Sequence, residues 1–99
     1  MRGEPGSSSQ RRYFQAVPTA QNPDALLRQV MLILDRERED QGMSQAEMGR
    51  RMGIAQSTVS KYLDMRLLLN LSQFDAMCQS LGMNPGEVIV EADRLRSLE

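Results

Sequence analysis

Between residues 56 and 61 the chain reads Gln-Ser-Thr-Val-Ser-Lys, with no carboxylate in the run. Gln56, Ser57, Thr58 and Ser60 bring amide and hydroxyl groups, and Lys61 brings an ammonium. Groups of this kind hydrogen-bond base edges or phosphates, and no acid is present to repel a polyanion. Wound into a helix, the stretch turns Ile54, Val59, Tyr62 and Leu63 inward and collects Gln56, Ser57, Ser60 and Lys61 on the opposite face. The chemistry is therefore non-covalent recognition. Catalysis is not expected, because the chain has no histidine and its single cysteine, Cys78, falls in an apolar helical pattern. The same two counts leave no plausible zinc site and no internal disulfide, and no catalytic residue, metal or cofactor is expected.

The residues just before this run hold it in place. Ser44 stands at a helix N-cap position with Glu47 three residues on, so each can bond the other's backbone amide in a capping box. Met48 and Met52 give that short helix one apolar stripe, and Gly53 supplies the left-handed backbone that ends it. Gly49 has no side chain where the two helices would cross, which permits a close approach.

With Gln45 opening the first helix, Gly49, the turn glycine Gly53 and the Gln56-Ser57 pair before Val59, the chain resembles the lambda repressor-like family, also called the Xre or Cro/C1 type, over roughly residues 26–90. The resemblance implies an all-α fold of five helices with a helix-turn-helix at about residues 44–63, in a domain of residues 24–99. It places the second helix of the motif, residues 56–63, in the major groove of double-stranded DNA, with Gln45 on a phosphate and buttressing the base-reading Gln56. The expected DNA-binding set is Gln45, Arg50, Arg51, Gln56, Ser57, Thr58, Ser60, Lys61 and Arg66. Implied with it is transcriptional control, most simply repression, by a homodimer on a two-fold operator, in a bacterial or phage setting. Two departures stand out. Arg38 matches an arginine whose usual glutamate partner is here Leu63, with Asp64 adjacent, and the glycine common near Met65 is missing.

A net charge of −1 suits a DNA binder only when divided by region. Residues 1–23 and 44–66 are each +2, while residues 24–43 are −2 and residues 67–99 are −3. Local charge is what a phosphate surface needs, since exposed charges more than about 8 Å apart are largely screened. A solvated mixed surface would show the same partition. The length of 99 residues bounds the protein to one small core, and no apolar run or leader pattern points to a membrane or to export, so the expected location is cytoplasmic.

Residues 1–23 are rich in Gly, Ser, Gln and Pro without a period and are expected to form a disordered arm. Arg11-Arg12-Tyr13-Phe14 is its sharp feature: an incidental basic pair, an arm that wraps DNA, or aromatics that dock on the domain. Pro23 and Asp24 then open a helix that runs to about Gln41 and stops at Gly42, with Leu27, Val30, Leu34 and Gln41 on one face and Leu26, Met31, Leu32 and Ile33 as further apolar surface. A fourth helix is expected over residues 72–81, with Phe74, Met77, Cys78 and Leu81 inward and Gly82 as its stop. Asn84, Pro85 and Glu87 signal the start of a fifth, carrying Val88, Ile89, Ala92, Leu95 and Leu98. That helix and residues 67–71 hold more apolar surface than a small core requires. Leu67, Leu68, Val88, Ile89 and Leu95 are accordingly the expected contacts with a second subunit or another protein. The alternative function follows from the same surplus: a protein-interaction module (antirepressor, antitoxin-like or adaptor) that grips its partner through residues 67–71.

Overall fold

A computed structural model describes residues 24–98. Five helices occupy them, with no strand among the described residues: α1 Ala25–Asp40, α2 Gln45–Met52, α3 Gln56–Leu63, α4 Leu71–Leu81 and α5 Pro85–Arg96. Expectations for residues 1–23, including Pro23, Arg11, Arg12, Tyr13 and Phe14, lie outside the described residues. The helix starts repeat one chemical device. Ser44, Asn70 and Asn84 each accept a hydrogen bond through the side chain from the backbone N–H three residues on, at 3.0, 2.7 and 3.0 Å. Asn70 begins α4 one residue earlier than residues 72–81 suggested, and its signal is readable as Asn-x-x-Gln. Left-handed glycines, Gly42, Gly53 and Gly82, follow α1, α2 and α4.

One core joins all five helices. Val30, Met31 and Leu34 of α1, Met48 of α2, Val59 and Tyr62 of α3, Phe74, Met77 and Cys78 of α4, and Val88 and Ala92 of α5 are buried together. α1 packs along α5, and α2 packs on both α3 and α4. Removing a side chain such as that of Leu34, which has no solvent exposure, would cost about 2–5 kcal/mol. Val88 corrects one expectation: at 3 % exposure it belongs to this core and cannot face a second subunit. Val88 and Ala92 lie one helical turn apart, so they form the stripe that α5 turns inward, while Ile89 and Val90 turn out.

Polar side chains tie the motif to its surroundings. The last turn of α4 leaves carbonyls without helical partners, and two are taken from a distance: Gln41 Nε2 donates to the Leu81 oxygen at 2.8 Å and Arg51 Nη1 to the Ser80 oxygen at 2.9 Å. Gln41, expected on the core face of α1, thus stays exposed and works as a strut. Arg38 does not reach across to the end of α3. Its guanidinium, mostly buried, bonds Asp35 at 2.9 Å and the Met43 oxygen at 2.7 Å, which fixes the turn between α1 and α2, while Asp64 pairs with Arg66 instead.

Candidate nucleic-acid interface

The approach of α2 to the start of α3 sets the geometry of the exposed face. The Ile54 N–H donates to the Gly49 oxygen at 2.9 Å, and a Cβ on Gly49 would stand 2.8 Å from the Ile54 oxygen. Only hydrogen fits. Gly53, at φ +74°, then turns the chain from α2 toward α3, a conformation that an L side chain rarely adopts. On α3, Val59 and Tyr62 are buried and Leu63 is half-buried, so the helix rests on one side and presents the other.

On the presented side, Gln56, Ser57 and Lys61 are exposed, and Ser60 and Thr58 are half-exposed. The residues drawn together from sequence are therefore brought together in space. Lys61 makes no ion pair among the described residues. Arg66 closes the far end of the face, bonded to Asp64 at 2.9 Å and reaching Ser60 Oγ at 3.4 Å. Gln45 opens α2 half-buried and makes no hydrogen bond to Gln56.

The start of α3, like that of α1, lacks the side-chain cap found at α2, α4 and α5. Ala55 occupies the N-cap position in extended conformation, so no side chain caps the first turn. The N–H groups of Gln56 and Ser57 make no backbone hydrogen bond among the described residues, as the first turn of a helix leaves them, and such groups suit a phosphate or another acceptor. Sequence reasoning passed over Ala55; the readable signal was the lack of Ser, Thr, Asp or Asn there.

Arginines of α2 are less available than their charge suggests. Glu47 does not complete the capping box through its carboxylate. That group accepts from Arg50 Nε at 2.9 Å and from Arg51 Nε at 2.8 Å, leaving Ser44 to cap α2 alone. The Arg50 hydrogen bonds, then those of Arg51, hold the Glu47 carboxyl below the usual glutamate range. Arg51 is committed twice, to Glu47 and to Ser80, whereas Arg50 is open to solvent and, among the described residues, tied only to Glu47.

After α3 the backbone reverses at Met65, whose φ of +62° is the one positive value at a residue other than glycine among the described residues. The missing family glycine is thus replaced by a strained methionine whose side chain packs against the core, an apolar contact that offsets the strain. From there the residues 67–71 stretch sends Leu69 inward and leaves Leu67, Leu68 and Leu71 outside, Leu68 at 57 % and Leu71 at 78 % exposure. Ile89 joins Leu71 at a shallow apolar hollow, and Leu95 lies in a separate one beside Leu32.

The profile of the Cro/C1-type HTH DNA-binding domain matches residues 34–91, which include all of α2, α3 and α4. The chain belongs to the Cro/C1-type helix-turn-helix DNA-binding family. Neither the comparison with curated proteins nor that with solved structures returned a match. The polar face of α3 is thus the outward side of the second helix of a Cro/C1-type motif, and DNA binding is the function of the domain. Among the described residues, no helix of this Cro/C1-type domain is long and apolar enough to cross a membrane, and no cluster of His, Cys, Asp or Glu could hold a metal ion.

Proposed function

We propose that the domain reads a specific double-stranded DNA sequence as part of a transcriptional regulator, most simply a repressor, that acts as a homodimer on a two-fold operator. The observation that carries this reading is the exposed, acid-free run of Gln56, Ser57, Ser60 and Lys61 on α3. Gln56 offers one donor and one acceptor, which match adenine N6 and N7, and Lys61 one turn along can take guanine or a phosphate. Thr58 and Gln45 support the near end of the contact, and Arg50, Arg51 and Arg66 lie on its flanks. Occupancy of an operator would obstruct RNA polymerase. Support for a dimer comes from the outward apolar residues Leu67, Leu68, Leu71 and Ile89. Half-sites would then lie about 34 Å apart.

The test is titration of the protein against duplexes selected from random sequence and against scrambled controls, at several salt concentrations. Gln56→Ala should cost about 1–3 kcal/mol on the selected site and far less on scrambled DNA. Unchanged affinity and preference in that variant would mean that α3 is not the reading helix.

A second reading is favoured by one observation, the exposure of three leucines within residues 67–71. In it the domain is an interaction module gripping another protein. Failure to bind any duplex at low salt, together with loss of a partner on Leu68→Asp, would establish it.

A further inference from the structure

Between α1 and α5 runs an apolar furrow that the helix-turn-helix does not use. Two adjoining hollows of about 410 and 390 Å³ share Ile33, Glu37, Met83 and Glu91 and so form one channel. Its apolar surface includes Leu32, 56 % exposed, with Ile33, Met83 and Leu95. Its rim is acidic. Glu37, Asp40, Glu87 and Glu91 line it against one cation, Arg36. Glu91 is occupied by Arg94 and Glu37 by the Gln41 amide, but Asp40 and Glu87 have no ion pair among the described residues.

We propose that this furrow is the docking site for residues 11–14 of the same chain, Arg-Arg-Tyr-Phe. Charge is complementary, since residues 1–23 hold three arginines against one glutamate. The apolar content also fits: the chain has two tyrosines and two phenylalanines, and while Tyr62 and Phe74 are core, Tyr13 and Phe14 stand side by side next to the basic pair.

Reach and direction agree as well. Nine residues separate Phe14 from Asp24 and extend to roughly 30 Å. Ile33 is nine residues along α1 from Asp24, about 14 Å, and Asp40 is about 24 Å away. A segment returning antiparallel to α1 meets Leu32, Ile33 and Leu95 with its aromatics first, and its arginines then arrive at Glu37 and Asp40. The arginines lie farther from Asp24 than the aromatics, just as the acids lie farther along α1 than the apolar floor. Tethering gives the segment an effective concentration on the order of millimolar, so a contact too weak to hold a separate peptide still fills the furrow.

The chain has no tryptophan, so Phe14→Trp in the full-length protein supplies a single reporter. Docking predicts indole emission to the blue of the unfolded protein and quenching by acrylamide several-fold weaker, both unchanged on dilution. Reversing the rim with Asp40→Lys and Glu87→Lys should abolish both effects at constant helical circular dichroism, and adding Arg11→Glu and Arg12→Glu should restore them. Should the double reversal lose helicity, Glu87→Lys alone is read against the same charge swap. Emission like that of the unfolded chain overturns the proposal. So does a blue shift that survives rim reversal but is lost on Leu71→Lys, or one that fades on dilution, or a failure of the charge swap to restore docking.

Discussion

Replacing Gly49 with alanine sets two effects of known size against each other. In an exposed helix interior the change would stabilise by about 1 kcal/mol, because alanine has less backbone freedom to lose. At Gly49 the new methyl would stand 2.8 Å from the Ile54 oxygen and 3.4 Å from both the Ala55 carbonyl carbon and the Gln56 nitrogen. Carbon–oxygen contacts settle at about 3.3 Å or more, so roughly half an ångström is missing. All three neighbours are backbone atoms, and no rotamer change can relieve the contact. Overpacking of this kind costs about 1–3 kcal/mol, which leaves a net loss of up to about 2 kcal/mol after the propensity gain. For a domain of this size each kcal/mol lowers Tm by about 4–8 °C. The backbone that has to move is that of residues 54–56, where α3 begins, so Gln56 moves with it and affinity for the preferred duplex falls in parallel. Thermal unfolding by circular dichroism and duplex titration of the same preparation measure both. A Gly49→Ala protein with a raised Tm and unchanged affinity would refute the reasoning.

Three further outcomes are expected. Ala55→Asp supplies the cap that α3 lacks and should stabilise by about 1 kcal/mol, yet its charge beside Gln56 should weaken DNA binding; Tm and affinity should move in opposite directions, and a rise in both would place this helix start away from DNA. Arg50→Ala should leave the urea midpoint essentially unchanged and make the salt dependence of DNA binding shallower by about one unit per protomer. Arg51→Ala should instead lower stability by about 1 kcal/mol, discounted for its partial exposure, because it releases the Ser80 carbonyl; equal urea midpoints for the two variants would contradict this assignment. Burial, and secondarily Asp75, pushes the Cys78 thiol up to about 11, so native protein should resist alkylation at pH 8 and react only as it unfolds, as followed by mass spectrometry; rapid native labelling would show that the core opens there.

Local chemistry in the sequence was enough to determine the helices and most of the reading face. Caps at Ser44 and Asn84, stops at Gly42, Gly53 and Gly82, and the spacing of Met48, Val59, Tyr62, Phe74 and Met77 each act within a few residues of chain, so they are legible without a fold. The acid-free face of Gln56, Ser57, Ser60 and Lys61 is legible for the same reason, because helical periodicity alone brings those side chains together. Tertiary structure decided what depends on residues distant in sequence. Whether Val88 or Ile89 faces out is set by where α1 lies against α5, and nothing in the apolar pattern of α5 distinguishes them. The same holds for Arg51 and Gln41, whose partners are carbonyls 29 and 40 residues away at the end of α4. Glu47 is a local case that the capping signature still does not display: its carboxylate bonds Arg50 and Arg51 on its own helix, where both partners carry charge, rather than a neutral backbone amide. Met65 could take a glycine's conformation because the core lay close enough to receive its side chain, and that distance exists only once the chain has folded.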